Sequence, residues 1–185
     1  MFTKLDLTHD LPEQGPTEVL YKFGKQFGSD LVWRGISYYK ANSDVEEKLK
    51  SLIPEKYRDL FEVNYMVINT QYVPPHIDNK ISTTINFYVN TADAVTKFHA
   101  KKENVQLVTE KLPEQLNGRL YNADDLYVVS EFIAKPKEVY LLDVQKLHSV
   151  SCSKQENRTS YCLQSHIGIS YEKCLEIFNA GLAQW

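Results

Sequence analysis

Hydrophobic and polar residues alternate in short runs over much of the chain. From Glu62 onward, runs rich in Val, Ile, Tyr, Phe and Thr are separated by polar or proline-containing breaks. This pattern is typical of antiparallel β-strands, whose side chains point alternately to opposite faces. It predicts strands over residues 63–72, 82–89, 95–100, 104–109, 126–134, 139–143 and 158–167. The Asn117-Gly118 pair predicts a tight turn.

Three segments show the spacing of amphipathic helices. Ser43-Asp44-Val45-Glu46 has the form of a capping box, and the apolar residues after it recur at helical intervals until Pro54. This predicts a helix of roughly ten residues. A second helix is predicted over Thr17 to Phe27, and a third, packed on the sheet, over Tyr171 to Leu182.

The order of these elements predicts a mainly β domain. Several short strands, preceded and followed by helices, favour a barrel or jelly roll with helices packed against one face. At 185 residues the chain has the size of one ordinary domain. We therefore predict a single domain over 1–185, with helical support over 1–61, a β core over 62–168 and a C-terminal helix over 170–183.

Composition narrows the classes of protein to consider. Hydrophobic residues make up 43% of the chain, and no apolar run approaches the roughly 18 residues that a membrane span requires. The first residues contain acids where a signal peptide needs an apolar core, and the 3 cysteines form no C-x-x-C pair. We therefore expect a cytoplasmic protein with reduced thiols. The net charge of -3 disfavours nucleic acid as a partner.

A histidine and an aspartate two positions apart are the first candidates for metal binding. In Pro74-Pro75-His76-Ile77-Asp78, an extended backbone would direct the imidazole and the carboxylate to the same face. A second imidazole, His148, follows the strand predicted over 139–143. Early and late strands become neighbours in a rolled sheet, so these three side chains can reach one ion. Two histidines and one carboxylate leave part of the ion open to ligands, as in non-haem Fe(II) oxygenases.

The strand predicted over 158–167 begins with a candidate anion site. Arg158 and Ser160 are two positions apart and would point the same way. A guanidinium binds a carboxylate through two parallel hydrogen bonds, and a neighbouring hydroxyl adds another. This pair predicts a dicarboxylate cosubstrate.

The order His-x-Asp, distal His and Arg-x-Ser resembles the Fe(II)- and 2-oxoglutarate-dependent dioxygenases. Within them, the stretch from Tyr65 to Gln164 is most similar to the prolyl 4-hydroxylase branch. The matching segments are Ser82 to Asn90, Thr96-Lys97-Phe98, Lys135-Pro136-Lys137 and Leu147 to Val150. Two positions depart from the branch: Ala94-Val95 replaces its Gly-Gly pair, and Arg158 replaces its cosubstrate-anchoring lysine.

The resemblance implies a fold, a set of cofactors and a reaction. The fold is a double-stranded β-helix, which is a cupin-like jelly roll, with flanking N-terminal and C-terminal α-helices. His76, Asp78 and His148 bind Fe(II), while Arg158 holds the far carboxylate of 2-oxoglutarate and O₂ binds at the iron. Hydroxylation of a C–H bond is then coupled to the formation of succinate and CO₂. The implied substrate is a peptidyl or free amino acid such as proline.

Further cosubstrate contacts are expected on one face of the strand over 82–89. Alternation places three polar residues together on an inward face: Thr84, Asn86 and Tyr88. In the family this face supplies hydrogen-bond donors to 2-oxoglutarate, so we assign these residues, with Ser160, as cosubstrate contacts. Tyr72 is a further candidate donor, and strand parity does not decide between it and Tyr65.

Alternatives to this interpretation stay open. His99 and His166 are alternative metal ligands. A non-catalytic, cupin-like module would bind metal or sugar without a grip on a carboxylate, so Arg158 and Ser160 favour turnover of a cosubstrate. A dioxygenase of nucleic-acid bases or small metabolites would use the same metal residues. The expected partner is a peptide or small-molecule substrate rather than a membrane, and no oligomeric state is predicted.

Overall fold

Two antiparallel sheets and two α-helices make up the part of the chain that the computed structural model describes, which is residues 1–23, 35–78, 81–105, 109–111, 118–154, 156–166 and 168–182. The strands are β1 (Phe2–Thr8), β2 (Val19–Phe23), β3 (Ile36–Lys40), β4 (Phe61–Ile68), β5 (Tyr72–Asp78), β6 (Ile81–Asn90), β7 (Val95–Lys101), β8 (Thr109–Lys111), β9 (Gly118–Tyr121), β10 (Leu126–Ile133), β11 (Glu138–Asp143), β12 (His148–Ser151) and β13 (Arg158–His166). The helices are α1 (Ser43–Ser51) and α2 (Tyr171–Leu182), with short 3-10 helices at Glu55–Leu60 and Ala123–Asp125.

The chain passes repeatedly between two facing sheets. In the described residues, the first sheet has the strand order β1-β11-β6-β13-β4-β3-β2 and the second has the order β10-β7-β12-β5-β9-β8. Strands β4 to β7 and then β10 to β13 alternate between the sheets, which is the connectivity of a double-stranded β-helix. The predicted mainly β jelly roll with flanking helices is therefore confirmed.

Both helices pack on the outer face of the first sheet. Side chains from α1, α2 and β6 share one buried apolar cluster, which includes Val45, Leu49, Ile85, Phe87, Ile177 and Phe178. Since α1 has only 9 residues, it is too short to be stable alone and depends on this packing. The opposite face of β6 is thereby left to line the space between the two sheets, where the polar residues of that strand lie.

The predicted strands of the core are largely confirmed, and two predictions are not. The strands over 82–89, 95–100, 126–134, 139–143 and 158–167 are β6, β7, β10, β11 and β13, and the strand over 63–72 is β4, which ends at Ile68. The prediction of a strand over 104–109 is wrong for the residues of this range that the structure describes, because residues 103–104 form a turn and β8 begins at Thr109. Gly118 begins β9 rather than lying in a tight turn, and Asn117 lies outside the described residues.

The first sixty residues are not the helical support that we predicted. The helix over Thr17 to Phe27 is wrong, because Val19–Phe23 pairs antiparallel with β3, while residues 24–27 lie outside the described part. β1 was also missed; it pairs with β11, Phe2 opposite Leu142. Hydrogen bonding to a sheet edge thus outweighs local helical spacing here.

The two helices of the fold are confirmed with a change at one cap. α1 begins at Ser43, but Asn42 is the N-cap residue and its carbonyl accepts a hydrogen bond from the Glu46 amide. The capping box expected at Ser43 is therefore not formed. α2 has the predicted bounds. Neither helix in the described residues has the length and apolar character needed to span a bilayer.

Candidate metal centre

Three potential metal ligands converge between the sheets. β5 carries His76 and Asp78, and β12 carries His148, which is paired directly opposite His76. One ligand atom from each of the three lies within 4.8 Å of the others. The two imidazole rings are 4.1 Å apart, and Nε2 of His76 is 3.4 Å from Oδ1 of Asp78. The three residues predicted as ligands are therefore close enough to hold one ion.

Backbone carbonyls orient both imidazoles. Nδ1 of His76 lies 2.7 Å from the Pro74 carbonyl oxygen, and Nδ1 of His148 lies 2.9 Å from the Lys146 carbonyl oxygen. A carbonyl only accepts, so each Nδ1 carries a proton, and in the neutral imidazole Nε2 then keeps the lone pair that a metal needs. Burial, together with the nearby His76, lowers the pKa of His148 to about 3. His148 is thus a neutral imidazole at physiological pH, the form that binds a metal.

The donor set fits a divalent transition metal with open positions. Two neutral imidazoles and one carboxylate, all presented by neighbouring strands of one sheet, are the ligands of the facial triad that binds non-haem Fe(II). A structural zinc site would instead surround its ion with four protein ligands. The group found in the described residues supplies three.

A buried arginine lies in the same cavity as the triad. Nη2 of Arg158 donates to the Tyr88 hydroxyl at 2.7 Å and to the Thr96 hydroxyl at 3.1 Å, and the guanidinium lies 4.8 Å from the centre of the Tyr88 ring. Nη1 is buried and has no hydrogen-bond partner among the described residues. An unpaired N–H group on a buried cation is costly. Arg158 therefore has a vacant donor suited to an anionic ligand.

The inward face of β6 forms a hydrogen-bonded chain that ends at this arginine. The Thr84 hydroxyl donates to Asn86 Oδ1 at 2.9 Å, and Asn86 Nδ2 donates to the Tyr88 hydroxyl oxygen at 3.3 Å. That oxygen also accepts from Arg158, so the Tyr88 hydroxyl hydrogen is left for a further acceptor. The predicted placement of Thr84, Asn86 and Tyr88 on one inward face is confirmed.

One cavity joins the triad to the arginine. Its volume is about 60 Å³, and its polar lining includes His76, Asp78, His148, Thr96, Arg158 and Gln164. Burial raises the pKa of the Cys162 thiol, which also lines the cavity, to about 11, and burial raises the pKa of Tyr38 well above its ordinary value. Both groups are therefore neutral at physiological pH. Asp78 and Arg158 carry the charges of the lining.

A bulge in β5 places Tyr72 outside the cavity. His148 is opposite His76 and Val150 is opposite Val73, so three steps along β5 face two steps along β12. The bulge contains two consecutive prolines, which have no N–H for the ladder. It turns Val73 inward and leaves Tyr72 outward, with 50% of its surface exposed. This position does not support the predicted contact of Tyr72 with a cosubstrate.

Three other predicted site residues lie outside the metal cluster and the cavity lining: Ser160, His99 and His166. Ser160 is fully buried on β13 with its hydroxyl 3.5 Å from the Cys162 thiol, and it is not part of the cavity lining. His99 is bound to the Ser149 hydroxyl at 2.8 Å, and His166 is exposed with Glu62 3.7 Å away. Neither alternative histidine belongs to the cluster of potential ligands.

Three polar residues that line the cavity were not assigned to the site from the sequence: Tyr38, Thr96 and Gln164. Thr96 lies on β7, which neighbours β12 in the sheet. Because Thr96 is two residues before the apolar Phe98, alternation indicates that both side chains point to the same inward face. Gln164 follows Arg158 on β13 by an even number of positions, so alternation places both side chains on the same face and could have predicted Gln164 as a residue of the site. Tyr38 lies on β3, a strand that the sequence did not predict, so no signal of this kind existed for it.

Comparison with known proteins found no matching family model and no matching curated relative. Among solved structures, vicilin from Capsicum annuum is 13% identical with a TM-score of 0.41, over 78% of this chain and 31% of that chain. The epimerase SnoN in complex with Fe3+, alpha ketoglutarate and nogalamycin RO is 11% identical with a TM-score of 0.45, over 72% of this chain and 64% of that chain. E. coli ycfD is 13% identical with a TM-score of 0.44, over 80% and 38%. The chain thus spans under a third of the vicilin, and we base its function on its own side chains.

Proposed function

We propose that the protein is an Fe(II)- and 2-oxoglutarate-dependent dioxygenase that hydroxylates a C–H bond. One observation carries the proposal: the His76, Asp78 and His148 cluster shares its cavity with Arg158, whose buried Nη1 has no partner among the described residues. The cluster alone supports a metal-binding module. The guanidinium adds an anion site, which a module that only binds metal does not need.

The charges around the cavity suit a dianionic cosubstrate. A divalent ion, the Asp78 carboxylate and the Arg158 guanidinium together carry a charge of +2 − 1 + 1, which is two positive charges, because histidines bind a metal as neutral imidazoles and burial keeps Cys162 and Tyr38 neutral. The two carboxylates of 2-oxoglutarate cancel this charge. A neutral sum is favoured because uncompensated charge is costly in a buried site.

Each group of the chain has a defined task in this proposal. His76 and His148 would hold the ion through Nε2 and Asp78 through a carboxylate oxygen. Arg158 Nη1 and the Tyr88 hydroxyl would donate to the far carboxylate of 2-oxoglutarate and fix its orientation. When bound, Fe(II) and 2-oxoglutarate supply the O₂ chemistry that oxidises the substrate. The apolar side chains of the wall keep bulk water from the site.

We propose a peptidyl or free amino acid, with proline as the first candidate, as the substrate. The support is the resemblance of β6 and of the Thr96 to Phe98 segment to the prolyl 4-hydroxylase branch. Both elements line or border the cavity, since Thr84 and Asn86 on β6 and Thr96 on β7 contribute to its wall. Replacement of the branch's Gly-Gly pair by Ala94-Val95 affects the strand next to Thr96, where substrate preference can differ from that of the branch.

Anaerobic titration of the apoprotein with Fe(II) and 2-oxoglutarate tests the proposal. We expect a weak visible charge-transfer band from the chelated keto acid, which His76→Ala abolishes and Arg158→Ala weakens. Arg58→Ala is a matched control, because Arg58 contacts the Ile53 carbonyl near α1 and not the cavity. Metal binding without a band would identify a metal-binding β module instead.

Turnover measurements test the substrate. Succinate formation in air should rise when a proline-containing peptide is added to the protein with Fe(II) and 2-oxoglutarate. If peptides and amino acids leave the rate unchanged while a nucleic-acid base or a small metabolite raises it, the cofactor assignment stands and the substrate class is wrong.

A further inference from the structure

Two amide side chains lie side by side on the inner face of the first sheet. Asn64 on β4 and Gln164 on β13 are 5% and 6% exposed, and Asn64 Nδ2 donates to Gln164 Oε1 at 2.8 Å. Gln164 lines the cavity that contains the metal triad, and Asn64 is paired across the strands with Cys162, another residue of the lining. Gln164 therefore faces the same space as the candidate metal centre, and Asn64, which is not itself among the lining residues, is hydrogen-bonded directly beside it.

This pair uses only part of its hydrogen-bonding capacity. The single bond occupies one N–H of Asn64 and one lone pair of Gln164 Oε1. Within the described residues no hydrogen bond reaches Asn64 Oδ1 or Gln164 Nε2. Buried polar groups are nearly always satisfied by protein, water or ligand. Gln164 thus has an amide donor available at the cavity wall, and Asn64 has an amide acceptor available beside it.

We propose that Asn64 and Gln164 bind a carboxamide of the substrate, such as a peptide bond. Gln164 Nε2 would donate to the carbonyl oxygen of that amide, and Asn64 Oδ1 would accept its N–H. This inference rests on the proposed function, since it names the substrate group held beside the metal. It distinguishes an amino acid within a peptide or an N-acylated amino acid from a free amino acid.

The chemistry of the pair selects an amide over other polar groups. A carboxylate offers acceptors only and would leave Asn64 Oδ1 facing negative charge. An ammonium group offers donors only and would leave Gln164 Nε2 unsatisfied. A secondary amide offers one of each at adjacent positions, so both side chains gain a partner. A site built to hydrogen-bond a substrate group rejects analogues that lack it, because its own polar atoms are then left unpaired.

Binding of two small probes tests the inference without turnover. The protein is loaded with Mn(II) and 2-oxoglutarate, and the paramagnetic relaxation of the methyl protons of N-methylacetamide is measured against that of methyl acetate. The ester has nearly the same shape and the same carbonyl but no N–H. We expect the ester to bind about tenfold more weakly, the usual effect of losing one hydrogen bond and leaving its buried partner unpaired.

A double variant removes the preference while preserving the volume of the core. Asn64→Leu combined with Gln164→Met replaces both hydrogen-bonded partners by apolar groups of similar size, a change that buried pairs tolerate. The variant should bind the amide and the ester equally. Gln71→Met is the matched control, since Gln71 is exposed between β4 and β5, and it should keep the tenfold preference.

The outcomes separate this inference from the proposed function. Equal binding of the two probes by the wild-type protein, or a preference that survives the double variant, would overturn the amide site while leaving the metal and 2-oxoglutarate assignments intact. Relaxation that is unchanged by His76→Ala would show that Mn(II) does not occupy the triad, and the proposed function would fail first. Equal binding of the two probes by the wild-type protein overturns the amide site even where the double variant does not fold.

Discussion

The buried imidazole of His148 should make the metal-free protein sensitive to mild acid. His148 is 7% exposed and its folded-state pKa is about 3, whereas an unperturbed histidine has a value of 6.5. Between these two values the unfolded chain binds a proton that the folded chain does not. Stability therefore falls as the pH is lowered through this window and is fully present above it.

The size of the loss follows from the two pKa values. At pH 7 the imidazole is mostly neutral in both states, and at pH 5 it is protonated in the unfolded chain alone. Proton linkage then lowers the free energy of unfolding by about 2 kcal/mol between pH 7 and pH 5. Burial also lowers the pKa values of His9 and His99, and both add to the loss with the same sign. A comparison of variants is needed to isolate the contribution of His148.

Urea unfolding of the chelator-treated protein at pH 7 and pH 5 measures this contribution. His148→Gln should reduce the pH-dependent loss by about 2 kcal/mol. His166→Gln is the matched control, because His166 is exposed, and it should retain the full loss. The reasoning is refuted if His148→Gln and the wild-type protein lose the same free energy between the two pH values.

Three further outcomes are expected. Arg158→Met should change the unfolding free energy of the apoprotein by less than about 1 kcal/mol, because removal of the buried charge and its unpaired N–H offsets the loss of its hydrogen bonds to Tyr88 and Thr96. It should strongly reduce the additional thermal stabilisation that 2-oxoglutarate gives to the Mn(II)-loaded protein, about 2.7 kcal/mol at a hundred times Kd in the wild type, and an undiminished effect of 2-oxoglutarate would contradict the anion site. Gly181→Ala should cost about 1–3 kcal/mol in urea unfolding, since a Cβ there would lie 1.8 Å from the Leu52 carbonyl oxygen, whereas Gly15→Ala, with open space around it, should not. Lys137→Gly should raise stability by about 1 kcal/mol in the same assay, because Lys137 has φ 72 after a proline, a conformation that glycine adopts without strain; an unchanged midpoint would contradict that strain.

The residues of the candidate site could be predicted because they lie on strands with clear alternation. Thr84, Asn86 and Tyr88 face inward on β6 because the apolar residues between and after them pack on the helices. Tyr72 was a candidate from the resemblance and not from alternation, and the bulge at the two prolines of β5 places it outward. Two consecutive prolines in a predicted strand indicate that a bulge can interrupt the alternation. They do not indicate which residues before and after the bulge point inward.

The strands at the beginning of the chain could not be predicted for a different reason. β1 and β2 lie at the two edges of the first sheet, where their conformation depends on partners far away in sequence. β1 pairs with β11 and β3 with β4, so the local sequence around Thr17 carries little information about the sheet. Tyr38 on β3 entered the cavity through this unpredicted pairing.

The cross-strand pairing of His76 with His148 also bears on when the centre can form during synthesis. His148 and Arg158 belong to the last two strands that the structure describes, and neither exists while the ribosome is still translating the first half of the β core. A nascent chain that ends before β12 has at most two of the three ligands. The candidate metal centre therefore cannot be complete before β12 has been synthesised, and chains that end earlier are not expected to bind a metal with all three ligands.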